Sequence, residues 1–417
     1  MEFLNYSKVS MNKINRSKYV AVFLKNKLIS LNSILPLALE MNQCCGYKFY
    51  FIVWEYESYR SIVEDNIVLR DMALSVGEIV CPDSASNTNI ISRKINKIIL
   101  LTKILFKFSF KKYYIFHFGV FDIKPFILIT KLIDKNKIVR CESSIVGRYA
   151  KDMYHLLHGR NVSARNLLQL RSTREILDMY IKDEYLVNNS GVLVGFNQDW
   201  NWFKHTDARY CKKLIFNEGL NAKSFSNFIE KNSDYYLSQE SLLDLDKNKT
   251  IVVVLGHYGD GSPEVQSMRN KLLYEILVVL RKLEMNAIIK PHIYCDMGLV
   301  KSIVKDARCK ESRIFYTKIY PNVLQKVSIG GLFVNKSTLR CHYQDIGFPV
   351  IQYNGGMFDR MTPDHCSGIV CSNQNQLTKH LKELMKKANS NDSIMEKNKE
   401  SVESCDKIKK VFCCIES

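Results

Sequence analysis

Short apolar runs alternate with longer amphipathic stretches along most of the chain. Lys18–Leu24, Tyr47–Trp54 and Glu78–Cys81 read as strands, the second rich in aromatic and β-branched residues. The stretches near Ser30–Met41 and Tyr59–Leu74 between them read as helices. The rhythm continues through strands at Tyr113–Gly119, Lys137–Cys141 and Gly191–Phe196, a helix at Lys124–Asp134 and a charged helical run over 149–184. Around Asp207–Asp244 the pattern becomes irregular and charged. A second series then opens with strand Lys249–Leu255, helix Pro263–Lys282, and strands Asn286–Lys290, Arg313–Tyr316 and Ile329–Val334. Helix Thr338–Asp345, strand Val350–Tyr353 and a closing helix Leu377–Lys387 complete it. Strand–helix alternation of this kind predicts parallel sheets covered on both faces. The expected fold class is α/β, with two Rossmann-like domains facing a cleft. The expected domains are 1–215 and 216–390, followed by a polar tail at 391–417.

One stretch allows two readings. In 93–112, Ile95, Ile98, Ile99, Leu101, Thr102, Leu105 and Phe106 share a broad helical face, with lysines mostly around it. This is either a helix that covers a sheet with its lysines in water, or a basic amphipathic helix resting on an anionic membrane.

Length and charge narrow the function classes. At 417 residues, two domains with separate cores are expected. The charge of +18, from 60 Lys+Arg against 42 Asp+Glu, fits nucleic acid, an anionic membrane or a phosphorylated substrate. No RNP-like strand, zinc finger or basic coiled segment supports nucleic acid, so no nucleic-acid partner is expected. The 13 cysteines form no C-x-x-C pair, which argues against a zinc ribbon and for reduced thiols. The N-terminal stretch lacks the apolar core of a signal peptide, and no run approaches the ~20 apolar residues of a spanning helix. The expected location is the cytoplasm, with peripheral contact to the inner membrane through 93–112 as a further option.

The chemistry-bearing residues fall where strands end. Gly256-His-Tyr-Gly-Asp-Gly-Ser262 precedes a helix that opens at Pro263, so Gly256 and His257 are candidates for an anion contact; a plain glycine-rich turn is the alternative. Lys290-Pro291-His292 puts a cation and an imidazole at a strand exit that Pro291 holds extended. Lys336, Ser337 and Thr338 precede or open a short helix, with Ser337 as a candidate N-cap, Gly347 at the C′ position and Pro349 beyond. The first-turn amides, two hydroxyls and Lys336 would converge on one anion. In the first half, His117, Asp122 and Glu142 stand just past or at strand ends and are the candidates for a general base. Trp200, Trp202 and Phe203 suit either a stacking surface or a packed hinge.

The order apolar strand, K-P-H, strand, apolar strand, S-[ST], short helix, G-x-P-V-I over roughly 250–355 resembles the carboxyl-terminal half of bacterial GT-B glycosyltransferases. It is most similar to capsule and cell-wall polymer enzymes: CDP-glycerol glycerophosphotransferases, polysialyltransferases and capsular Kdo transferases. The resemblance implies that Lys290, His292, Ser337 and Thr338 hold the phosphates of a nucleotide donor. It also implies a nucleotide-sugar-binding second domain and an acceptor-side first domain. Where such enzymes often carry a donor-binding Glu in the short helix, this chain has His342. No D-x-D motif stands at a strand end, so metal-free leaving-group stabilisation by Lys290, His292 and Lys336 is expected, with no metal and no cofactor.

The function these features imply is transfer of a sugar, with a CMP- or CDP-linked donor favoured, to a glycan or lipid-linked glycan of a bacterial capsule or O-antigen. A CDP-polyol-dependent phosphotransferase would use the same residues. A nucleotide-sugar epimerase shares the two-domain design, and a non-enzymatic nucleic-acid-binding protein is the alternative of another class.

Overall fold

The computed structural model describes residues 18–24, 28–53, 55–82, 90–109, 112–118, 137–142, 192–195, 213–216, 222–255, 263–292, 295–334, 338–345, 347–355 and 369–389. These residues build two separate parallel sheets. Sheet one contains β1 (Lys18–Leu24), β2 (Tyr47–Val53), β3 (Gly77–Val80), β4 (Lys112–Phe118), β5 (Ile138–Glu142), β6 (Val192–Gly195) and β7 (Lys213–Phe216), in the order β3-β2-β1-β4-β5-β6-β7. Sheet two contains β8 (Thr250–Val254), β9 (Asn286–Lys290), β10 (Ile314–Tyr316), β11 (Gly331–Phe333), β12 (Val350–Tyr353) and β13 (Ile369–Cys371), in the order β10-β9-β8-β11-β12-β13. Both are doubly wound, with order reversal beside β1 and beside β8. The central strands explain why. Val20–Leu24 and Thr250–Val254 are buried throughout, and an unbroken apolar run is stable only in a strand covered on both faces.

The helices return between strands. Among the described residues they are α1 (Leu28–Cys45), α2 (Tyr56–Arg60) with a π-helical turn at Ser61–Asp65, α3 (Ile67–Val76), α4 (Ile90–Ser109), α5 (Lys223–Gln239), α6 (Pro263–Lys282), α7 (Met297–Asp306), α8 (Thr338–Asp345) and α9 (Gln374–Asn389). On α6, Leu272, Leu273, Ile276, Leu277 and Leu280 recur at helical spacing and are buried. α7 starts where Asp296 accepts hydrogen bonds from the backbone N–H groups of Gly298 and Leu299. At the end of α8, Gly347 N–H donates to Gln344 O at 2.9 Å and Phe348 N–H to Tyr343 O at 2.8 Å. Gly347 has φ +74°, and Tyr343 and Phe348 rings meet edge-on at 4.9 Å. This is a complete Schellman motif with its hydrophobic contact.

β7 and α5 lie in the stretch that reads as irregular, and α7 and β13 are further elements that the pattern does not announce. In α5 the buried positions Phe225, Ile229, Ser233, Tyr236 and Leu237 do keep helical spacing. Ser, Asn, Glu and Lys fill the intervals and dilute the signal.

One buried cluster joins the two halves. It runs from α1, α3 and one face of sheet one, through Phe225, Tyr236 and Leu237 of α5, to Ile319, Tyr320, Val323, Phe333 and Tyr343 beside sheet two. A second cluster packs α6, α7 and α9 on the other face of sheet two. A third, smaller one sets Leu101 of α4 on Ala21, Phe23, Ile52 and Ile115 of sheet one. Among the described residues Cys45, Cys81, Cys141, Cys295, Cys309 and Cys371 carry reduced thiols, and burial pushes the pKa of Cys309 and Cys371 up. Cys44, against the expectation of reduced thiols, is disulfide-bonded.

Candidate functional site

In a doubly wound sheet the crevice for a ligand opens at the carboxyl ends of the strands flanking the order reversal. In sheet two those strands are β8 and β11. Their ends are level: Phe333 pairs with Val254, and Val334 N–H donates to Val254 O at 3.3 Å. β8 feeds α6, which begins at Pro263, and β11 feeds α8, which begins at Thr338. Two helix N-termini, each a partial positive charge with free N–H groups, therefore arise from the two switch-point strands.

Lys290 ends β9 in register with Val254, and Leu255 N–H donates to Lys290 O at 3.0 Å. Its side chain is partly buried. Nζ donates to the backbone carbonyl of Lys318 at 3.0 Å. The ammonium pKa is pushed down to about 8, first by burial and then by the nearby Lys318 charge, with Glu240 opposing. A cation held this way gains by meeting an anion, because the anion compensates for lost water. His292 follows Pro291 on the same edge, partly buried, and its carbonyl accepts from Cys295 N–H at 2.9 Å.

Thr338 and His342 are placed as the first and fifth residues of α8; their side chains lie outside the described residues, as do Gly256, His257, Lys336 and Ser337 entirely. In sheet one, His117 lies near the carboxyl end of β4, opposite Phe23 of β1 and Arg140 of β5. It is only 3% exposed. Glu142 is the last residue of β5, opposite Gly195, with its side chain outside the described residues. Asp122 and the aromatic stretch 200–203 also lie outside them. The topology thus brings Lys290, His292 and the start of α8 to one sheet edge, and His117 and Glu142 to the carboxyl edge of the other.

Several residues at the junction escape sequence reasoning. Lys318, just past β10, forms an ion pair with Asp65 at 2.8 Å. Tyr320 donates to Asn32 Oδ1 at 2.5 Å, and its ring meets Phe225 edge-on at 5.9 Å. The one cue is local: Tyr320-Pro321 opens the 3-10 turn Pro321–Val327 with proline at its first position. A cleft of about 580 Å³ also lies beside the switch point, between the first turns of α6 and Gly355 just after β12. Glu264, Ser267, Lys271 and Glu275 give it polar groups of both signs. Glu275 accepts from Tyr353 Oη at 2.5 Å; burial first, and then this carboxylate, raises the tyrosine's pKa. Among the described residues no group of three or more His, Cys, Asp or Glu is arranged to hold a metal ion.

No protein-family model matches the chain, and no curated protein matches it significantly in sequence. Solved structures do match in fold. UDP-GlcNAc 2-epimerase from Methanocaldococcus jannaschii aligns with a TM-score of 0.57 at 12% identity, covering 96% of this chain and 100% of that one. The Neisseria meningitidis UDP-GlcNAc 2-epimerase bound to UDP-GlcNAc aligns with a TM-score of 0.52 at 12% identity, covering 95% and 98%. A UGT transferase from Siraitia grosvenorii in complex with UDP aligns with a TM-score of 0.50 at 8% identity, covering 96% and 100%. The fold is that of the two-domain GT-B enzymes.

Proposed function

We propose that the chain is a metal-independent GT-B glycosyltransferase that moves a sugar from a nucleotide-activated donor to a glycan acceptor of a bacterial surface polysaccharide. The observation that carries this reading is Lys290: a partly buried ammonium at the carboxyl edge of sheet two, held by the Lys318 carbonyl, one strand away from the switch point. The donor's phosphates lie over the β8–β11 crevice. The N-termini of α6 and α8 face them, and Lys290 and His292 supply charge from β9. As the bond to the anomeric carbon breaks, negative charge grows on the leaving phosphate, and these donors stabilise it without a metal. Lys336, Ser337 and Thr338 belong to the same phosphate corner, His257 and Gly256 to the loop opposite, and His342 takes the place of the acid that resembling enzymes use for donor ribose or sugar.

The acceptor enters from sheet one. Glu142 and Asp122 are the candidates for the base of an inverting transfer. His117, only 3% exposed and in register with Phe23 and Arg140, is the third candidate. The resemblance in the K-P-H and S-T elements favours CMP- or CDP-linked donors. Structures of similar fold are bound to UDP or UDP-GlcNAc, which keeps UDP-sugars in the screen.

A second reading has an observation of its own: the two epimerases align better than the transferase. One assay separates them. The protein is incubated with CMP-Kdo, CMP-sialate, UDP-sugars and CDP-polyols, with and without crude glycan acceptor. A transferase releases nucleotide only with acceptor present. Conversion of a UDP-sugar to its epimer without acceptor overturns the proposal in favour of epimerisation, and turnover of CDP-polyols alone replaces sugar transfer by polyol-phosphate transfer.

A further inference from the structure

We propose that α4 is a docking helix that lays its outer face on an anionic lipid surface. Five of the eleven exposed large apolar side chains among the described residues sit on this one helix: Ile91, Ile95, Ile98, Ile99 and Phe106. At 100° per residue they fall within about 100° of one another around the helix axis and form one stripe. The helix is attached to sheet one through its other side, where Leu101 is 5% exposed and Leu100 packs partly against the same cluster. The broad apolar face legible in the sequence is therefore divided. Leu101 turns to the sheet, whereas Ile95, Ile98 and Ile99 are 50%, 56% and 45% exposed. A helix that only roofed a sheet would point its isoleucines the other way.

Charge selects the partner. Arg93, Lys94, Lys97, Lys103, Lys107, Lys111 and Lys112 fall between Ile90 and Lys112, and no Asp or Glu does. Lys94 and Lys103 stand about a quarter turn to either side of the stripe at 100° per residue, and both are exposed. Isoleucines flanked by cations match an interface of acyl chains below anionic headgroups. A protein partner would more often answer such a face with carboxylates and demand a fixed register; a lipid surface demands only the stripe and the charge. Among the described residues no helix is long and apolar enough to cross a membrane.

The position has a consequence for access. α4 returns from β3 to β4, which are both strands of parallel sheet one, so it runs antiparallel to them. Its first turns, with Ile91 and Ile95, therefore stand at the carboxyl edge that opens on the cleft. Docking by this face brings that edge to the headgroups, which suits an acceptor carried on a lipid. That last step rests on the transferase reading; the lipid contact does not.

The test is co-sedimentation of the full chain with vesicles of phosphatidylcholine, alone or mixed with phosphatidylglycerol. The expected result is partition into the mixed vesicles at least about tenfold stronger than into phosphatidylcholine, falling as salt rises. Ile95→Glu/Ile98→Glu and the milder Ile95→Ser/Ile98→Ser each lower that partition about tenfold or more. Both leave the thermal unfolding midpoint in place, since the side chains are exposed. Lys94→Glu/Lys103→Glu weakens binding to the mixed vesicles only. No partition into the mixed vesicles overturns the proposal, as does partition that both isoleucine variants keep. A wild-type dimer that these variants convert to monomer also overturns it, assigning the stripe to a second copy.

Discussion

Lys318 links the two halves of the molecule to Lys290: its ammonium is 2.8 Å from Asp65 Oδ1, and its carbonyl accepts from Lys290 Nζ at 3.0 Å. The segment that carries Lys318 also carries Tyr320, whose hydroxyl bonds Asn32, so Lys290 Nζ is held by the same short stretch that reaches the first half of the chain.

The Asp65–Lys318 pair is itself exposed, with side chains 46% and 69% accessible. Its contribution to stability is accordingly small. A double-mutant cycle with Asp65→Asn and Lys318→Met is expected to give a coupling of about 0.2–1 kcal/mol, shrinking as salt is added.

Lys290→Met separates binding from stability. Removal of the ammonium is expected to raise the donor's KM about tenfold or more, since charge-assisted contacts to phosphate are worth about 1.5–3 kcal/mol. The fold loses only a cation it holds at a cost. The sign follows from the depressed pKa: the folded chain releases this proton near pH 8 and the unfolded chain near the ordinary 10.5. Between those values the unfolded state binds more protons, so wild-type stability rises with pH relative to Lys290→Met. Donor affinity runs the other way and weakens above about pH 8. Unfolding midpoints and donor KM measured across that window check both.

Tyr320 is the aromatic anchor between the halves, 8% exposed and packed on Phe225. Tyr320→Phe removes the hydroxyl that Asn32 accepts from and is expected to cost about 1 kcal/mol. Tyr320→Ala is expected to cost about 3–5 kcal/mol through the cavity it opens. Urea unfolding of the full chain measures both, and equal costs would contradict a packing role for the ring.

Gly347→Ala puts a Cβ at φ +74°. It is expected to cost about 1 kcal/mol by denaturant unfolding.

Much of this architecture is legible in the chain. Runs such as Thr250–Val254 admit little but a central parallel strand, and the C′ glycine at 347 is recognisable from its place after an eight-residue helix. What stays hidden depends on partners far along the sequence. Nothing beside Lys318 in the chain announces Asp65, and nothing beside Tyr320 announces Asn32 or Phe225. α5 escapes because Ser233 stands at a core position and polar residues fill its intervals. α4 shows the converse: its apolar face is plain in sequence, but only the packing of Leu101 decides which part meets the sheet. His117 reads as a strand-end polar residue, yet it is only 3% exposed.

The central claim is that a nucleotide-sugar donor is held at Lys290 and His292 for transfer to a glycan. The most direct measurement is nucleotide release from the donor panel, with and without acceptor, by wild-type protein and His292→Ala. The predicted result is acceptor-dependent release from one donor class by the wild type and loss of it in His292→Ala, with the thermal midpoint unchanged. Activity of His292→Ala within a fewfold of wild type, or an epimerised sugar formed without acceptor, would contradict it.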